Sequence, residues 1–514
     1  MRYIALVLLI ACSSLLVFWA RKEQGAVSFP IEEQFVLDST IIGTSTIAAG
    51  LDVPWEITWG SDNHIWMTEQ GGTVSRLDTK TGKRKVVLNL QGVYRKRTMG
   101  LLGMAVSRNL IKQPYIFLDY TFLNGTNIFS RLVRYTYKND TLVEPLVLLN
   151  DIPGANGHNG SRITIAADGK LIMSTGDAQV FANAQNPASV NGKVLRLNID
   201  GTIPTDNPIP SSPVWSWGHR NIQGLAYGSN GILYSSEHGD AIEDEINIIQ
   251  KGSNYGWPNV EGIVDLDTEK VFVKTMPVME PIRSWTPTIA PAGIEFYNSS
   301  AVPEWKNSLL LTTLKGSSLY VLKLEKNGKK IVSEKIYFDQ AYGRIRDICV
   351  SPTGEIYLST SNRDWNPSEG YPKPKDDRII RITKIRTDRK VIIVKRATPT
   401  QKLVTTISGA NIIYTNYCAS CHKPGGEGVT GNFPPLKENP RVTGDKESLI
   451  SVVLNGLSGP IKVKGVEYNQ AMPAFKFLSD KDIAAVVSYI RTNLGNHAGA
   501  VTIDYVSKVR NAKK

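Results

Sequence analysis

Cys418-Ala419-Ser420-Cys421-His422 brings two thiols and an imidazole together in five residues. Thiols at this spacing can close thioethers to both vinyl groups of a haem while the adjacent His422 reaches the iron, which is c-type attachment. A zinc knuckle would need four ligands; after His422 only His497 is a further His, and no Cys follows. The second axial ligand is found by elimination. One Met follows His422, namely Met472, fifty residues on and next to Pro473. His/Met ligation raises the iron potential relative to His/His, and His497 is the other candidate. The expectation is a covalent haem c held by Cys418 and Cys421, with His422 and Met472 on the iron.

The elements around the motif must hold that group. Ile412, Ile413 and Tyr417 precede it on a short helix, and Pro424 to Pro435 form a Gly- and Pro-rich loop. Ser479 caps a later helix with Asp482 three residues on, and Ile483, Val486, Val487, Ile490 and Leu494 give it an apolar face. This frame, about residues 402–496, resembles a class I cytochrome c.

Ahead of it one pattern recurs: a turn, three apolar residues, then usually Ser or Thr. It appears as Ile65-Trp66-Met67-Thr68, Ile116-Phe117-Leu118-Asp119, Leu171-Ile172-Met173-Ser174, Ile232-Leu233-Tyr234-Ser235, Leu309-Leu310-Leu311-Thr312 and Ile356-Tyr357-Leu358-Ser359, at intervals of 47 to 77 residues. Such spacing leaves room for about four strands per repeat and few helical crossovers. A pair of β-sandwiches would not explain six copies in phase. The fold class read here is an all-β six-bladed β-propeller followed by a small all-α cytochrome c domain. The organisation expected is a signal or anchor segment over 1–22, the propeller over 45–385, a linker over 386–401, the haem domain over 402–497 and a tail over 498–514.

Several propeller motifs, in order, resemble the soluble quinoprotein glucose and aldose sugar dehydrogenases. They are Gly100-Leu101-Leu102-Gly103, His158-Asn159-Gly160, residues 192–208, Gly218-His219-Arg220-Asn221, Glu237-His238-Gly239 with Asp244-Glu245-Ile246-Asn247, Asn254-Tyr255-Gly256-Trp257-Pro258, Thr288-Ile289-Ala290-Pro291 and Arg344-Ile345-Arg346-Asp347. The resemblance spans about residues 46–384. It implies pyrroloquinoline quinone (PQQ) held with calcium over the channel and oxidation of a sugar or related aldehyde. His158 would take the proton of the substrate hydroxyl, a task suited to an imidazole titrating near neutrality. Arg220 would stabilise charge developing on the quinone oxygen. Asn221, Thr288, Lys315, Arg344 and Arg346 match positions that hold PQQ, whose three carboxylates call for Arg and Lys. Backbone oxygens of Gly239 and Asp240 match calcium ligands. The chain departs from the pattern in places: Thr98 or Met99 stands where Gln is frequent, Asp240 where glucose-type members have Pro, and Thr286 at an aromatic position beside Trp285. The stretch from Pro258 to Trp285 is short, so a substrate-covering loop is expected to be missing.

Two other classes compete. A propeller that recognises a glycan or protein would scatter Arg220, Lys315, Arg344 and Arg346, whereas a tricarboxylate quinone needs them in one pocket. A calcium-dependent lactonase would need acidic side-chain ligands and leaves the haem unexplained. A tethered haem instead supplies a reduced quinone with a one-electron acceptor at high local concentration.

Composition bounds the rest. With 41% hydrophobic and 21% charged residues the chain is globular, and 514 residues require more than one domain. Residues 3–20 carry no charge and are strongly apolar, between Arg2 and Arg21-Lys22. That segment reads as a secretory signal, a membrane anchor or, through Leu9-Ile10-Ala11-Cys12, a lipobox; each exports the rest to the periplasm or cell envelope. Of the four cysteines, Cys349 sits in an apolar run and is expected to be a buried, inert thiol, so no disulfide framework holds the fold. The net charge of +12 suits an acidic periplasmic redox partner or an anionic membrane surface, and no nucleic-acid motif is present.

Overall fold

The computed structural model describes residues 29–385, the backbone of 394–396, and 409–512. The expectations for residues 1–22 and Cys12, and for most of the linker, lie outside these residues.

Six antiparallel sheets form a ring. The first blade runs through Pro54–Trp59, Ile65–Glu69, Thr73–Leu77 and Arg84–Asn89, and the next four follow in sequence order. The sixth takes Ile345–Val350, Ile356–Thr360 and Ile379–Lys384 from the end of the propeller and closes with Ile41–Ala48 from its beginning. The ring therefore begins earlier than the repeat implied. Its sixth sheet includes Glu33–Val36, which pairs with Ile41–Ala48 and, in parallel, with Val394–Arg396 from the expected linker.

All six repeats fall on the second strand of a blade. That strand is sandwiched by neighbouring blades on both faces, so it reads as an unbroken apolar run, as in Ile65–Glu69 and Ile356–Thr360, where every residue is buried. Blades are stitched by aromatics. Trp66 meets Tyr137 of the second blade edge-on at 5.0 Å, and the Tyr234 and Tyr297 hydroxyls donate to Gly328 and Gly354 carbonyls of the next blade. The first strands crowd the axis. A Cβ on Gly103 would lie 1.7 Å from the Ser161 carbonyl and one on Gly293 2.1 Å from Asp347, so only glycine permits this approach. Arg162 ties three blades across the channel through Glu56 and Asp347.

Because adjacent strands are antiparallel, the loop entering each first strand and the loop leaving each second strand lie at the same end of the ring. Register shifts near the start of the first strand occur in five blades, at 54/56, 101/104, 222/224, 291/294 and 345/347. Such bulges turn the entering residues away from the ladder.

The C-terminal domain packs helices Ala410–Tyr417, Lys446–Asn455 and Asp480–Thr492 around one apolar cluster. Ser479 caps the last of these as expected, accepting from the Asp482 amide, and Ile483, Val486, Val487 and Ile490 are buried. On the first helix Ile413 and Tyr414 face the core while Ile412 is exposed. The expected tail is an integral element: Ile503–Asn511 is a helix whose Val506 and Val509 are buried in the same cluster.

Candidate active site

The loops at that one end line a cavity of about 1780 Å³, closed on its far side by the haem domain. His158 stands just before the third blade's first strand with φ +56°, in the left-handed region. Its Nδ1–H donates to the Asp177 carboxylate at 2.8 Å. Asp177 is buried after the Leu171–Thr175 strand and also accepts from the Trp257 indole at 2.8 Å and the Gln179 amide at 2.7 Å. This arrangement fixes the tautomer that leaves Nε2 of His158 as a proton acceptor. Burial, helped by the Arg220 charge, holds the imidazole below its ordinary value, against the pull of Asp177. His158 is thus a neutral base at pH 7. Asp177 escaped the sequence reading because nothing local pairs it with a histidine nineteen residues earlier.

Arg220 lies 5.2 Å from the centre of the Trp257 ring and donates to Asp240 at 2.7 Å. Asp240 therefore supplies a counter-charge to this arginine. Asn221 accepts from the Gly160 amide and from Gln223, and Gln223 in turn accepts from Arg346 at 3.2 Å. Arg344 donates to Asp364 at 2.9 Å, while Arg346 reaches the same carboxylate only at 3.8 Å. Burial lowers Arg346 to about 10. Nε of both Arg220 and Arg346 is buried without a partner among the described residues, which is unusual for so polar a group. Lys315 donates to Thr288 Oγ1 and to the Asn416 carbonyl of the haem domain, both at 2.9 Å. Burial lowers its ammonium against the pull of Asp244. All four cations expected from sequence thus converge on one cavity, with donors to spare for a polyanion.

The hard-oxygen donors are also present. Asp244 accepts from the Gly239, Ile289 and Ala290 amides and so pins the loop carrying Gly239 and Asp240. Neither of those two carbonyls accepts a hydrogen bond among the described residues. No cluster of three His, Cys, Asp or Glu able to hold a metal occurs among them, so a cation here would rest on backbone oxygens. His238 also lines the cavity, but its Nε2 is spent on the Pro291 carbonyl and burial drives it down to about 3. Beside Thr98 and Met99, Gln70 arrives from the first blade and donates to the Arg97 and Met99 carbonyls. Trp285 beside Thr286 also stands in the wall, with its indole directed to Glu334.

In the haem domain, Nδ1 of His422 donates to the Pro434 carbonyl at 2.9 Å, leaving Nε2 free, and burial lowers the imidazole below its ordinary value. Orientation of one ring nitrogen by a carbonyl is what a metal-ligating His requires. Met472 exchanges backbone hydrogen bonds with Leu457 and lines the cavity with Cys421, whereas His497 is exposed and lines none of it. Cys418 and Cys421 stand beside the cavity close enough to Lys315 for its charge to act on them. Arg97 donates to Gln470 and to the Gly431 carbonyl across the domain junction. Ala241 and Ile242 of the propeller pack into the haem domain's apolar cluster. Cys349, by contrast, is a buried strand residue whose thiol is pushed well above its usual range by burial.

A six-bladed propeller with a base and converging cations at one end, capped by a c-type haem domain, defines a dehydrogenase joined to a cytochrome. A glucose/sorbosone dehydrogenase family model matches residues 51–366 and a cytochrome c model residues 408–493. The chain belongs to the glucose/sorbosone dehydrogenase family and is an oxidoreductase with a cytochrome c domain at its C-terminal end. It is 30% identical over 397 residues to quinoprotein glucose dehydrogenase B of Acinetobacter calcoaceticus, covering 60% of this chain and 83% of the relative. The haem domain is 46% identical over 83 residues to cytochrome c-552 of Thermus thermophilus, covering 15% of this chain and 63% of that one. The PQQ-bound aldose sugar dehydrogenase of Streptomyces coelicolor superposes with a TM-score of 0.58 at 29% identity, covering 70% of this chain and all of the other.

Proposed function

We propose that this protein is an exported PQQ- and calcium-dependent dehydrogenase. It oxidises a sugar or a related aldehyde or polyol, and it delivers electrons through its own haem c to an acceptor in the periplasm or membrane. The observation that carries the reading is the His158–Asp177 hydrogen bond at 2.8 Å in a cavity that also gathers four cations and whose opposite wall holds Cys421 and Met472.

When bound, PQQ supplies a two-electron acceptor, calcium a hard electrophilic centre and the haem a one-electron iron couple. Arg344, Arg346 and Lys315 would hold the quinone's carboxylates, with Asn221 and Thr288 as neutral partners. Arg220 would face the quinone oxygen that becomes negative on reduction. The carbonyls of Gly239 and Asp240 would hold calcium. Cys418 and Cys421 would carry the thioethers, and His422 and Met472 the iron. His158 takes the proton of the substrate hydroxyl on Nε2, and Asp177 orients the ring and stabilises the imidazolium that results. The apolar segment over residues 3–20 supports export, by a cleaved signal, a retained helix or a lipid on Cys12.

Dye-linked turnover of the calcium-loaded protein with a panel of aldoses, aldehydes and polyols tests this directly. Turnover that requires PQQ and collapses in His158→Ala is expected; turnover without PQQ, or none with any substrate, would reject it.

A further inference from the structure

We propose that Asp364-Trp365-Asn366, in the loop leaving the sixth blade's second strand, docks the haem domain and couples the propeller pocket electronically to the iron. The inference rests on the function proposed above and adds the path between its two cofactor sites.

Each of the three residues reaches a different part of that path. Asp364 Oδ2 accepts from Arg344 in the pocket and from Ser361, while Oδ1 accepts from the Asn366 amide at 2.9 Å. The pocket arginine thereby sets where the rest of the loop stands. The Trp365 ring lies against Phe433 of the haem domain, with centroids 5.4 Å apart, and both rings line the shared cavity. Phe433 is followed by Pro434, whose carbonyl accepts from the iron-ligating His422. Asn366 donates to the Ser420 carbonyl inside the attachment motif at 3.2 Å. Lys423, next to His422, donates to Asn366 Oδ1 at 2.7 Å and to the Pro367 carbonyl at 2.9 Å. A continuous series of contacts thus runs from Arg344 through Asp364, Trp365, Phe433 and Pro434 to His422. Two touching aromatic rings fill with polarisable orbitals a junction that solvent would otherwise occupy.

The electron balance is fixed. Each substrate oxidised breaks one C–H and one O–H bond, forms a C=O bond and releases two protons and two electrons. Two successive ferric-to-ferrous reductions of the one haem consume those electrons, and an external one-electron oxidant such as ferricyanide returns the iron to ferric after each.

The test uses the full holoprotein. Stopped-flow mixing with a turning-over sugar gives the rate of ferrous haem formation, and a dye that accepts electrons directly from the propeller gives a second rate. The ratio of haem reduction to dye turnover is expected to fall about tenfold in Trp365→Leu and to return in Trp365→Phe, on the scale of one lost aromatic contact at a docking surface. In Asn366→Ala/Lys423→Ala the positions of the ferrous haem absorption bands should stay unchanged, because neither residue ligates iron. The ratio of haem reduction to dye turnover should fall in that variant too, because the hydrogen bonds that seat the loop on the attachment motif are lost. An unaltered ratio in Trp365→Leu or in the double variant overturns the inference while the proposed function stands. A wild-type haem that stays ferric during dye turnover overturns the proposed electron route and this inference together.

Discussion

His158 and Asp177 form the contact on which the chemistry depends most. Without the carboxylate the imidazole loses its orientation and the charge that stabilises its protonated form. Asp177→Asn should lower kcat/KM for sugar by roughly 10²–10⁴, measured with a dye acceptor so that the haem plays no part. The same pair sets the pH profile. Burial places the folded pKa of His158 below the ordinary value of 6.5, and the base works only when neutral. The acid limb of kcat/KM should therefore lie below pH 6.5, with activity rising as pH climbs through it and level at neutrality; a limb above 6.5 would exclude His158 as the base. Asp240 makes the third prediction at this scale. Its carboxylate competes with any anion for Arg220, so Asp240→Asn should tighten PQQ binding roughly fivefold by calorimetry, the worth of a partly exposed ion pair. His158, Arg220 and the alternating Arg344 and Arg346 were legible because they sit in short motifs. Asp177, Gln223 and Asp364 were not, because their partners lie on other loops, and only closure of the ring brings them within hydrogen-bonding distance.

The blade is the element that carries the site. Its first and second strands place two loops at one end, and the bulges at the first strands turn Arg220, Asn221 and Arg344 toward the cavity. The six repeats announced the second strands because these write an unbroken apolar run, whereas first strands, although equally buried, interrupt theirs with polar residues or glycine, as in Ile222–Tyr227 and Ile345–Val350. Outer strands such as Arg84–Asn89 are largely exposed, carry no such run and were not read. The closing strand was missed for the same reason: Ile41–Ala48 mixes Gly, Thr and Ser with its apolar residues, and its partner is more than three hundred residues away. Ile42 on that strand is fully buried in the core of the last blade. Ile42→Ala should destabilise the propeller by about 2–5 kcal/mol, read as a lower denaturation midpoint followed by near-ultraviolet circular dichroism. The cytochrome helices retain their own Soret signal through that transition if the two domains unfold separately.

For the whole molecule, what matters is that two domains recognisable separately in the sequence share one cavity. Neither motif spacing nor resemblance could reveal that Lys315 reaches Asn416 or that Arg97 reaches Gln470, since both contacts depend on how the domains dock. The central claim is that sugar oxidised at His158 reduces the iron held by His422 within the same chain. The most direct measurement is an anaerobic visible spectrum of the haem-loaded protein with calcium, before and after an active sugar, with and without PQQ. Appearance of ferrous haem bands only with PQQ, at a rate independent of protein concentration, is the predicted result. A haem that stays ferric with PQQ and sugar present, or that reduces equally well without PQQ, would contradict the account.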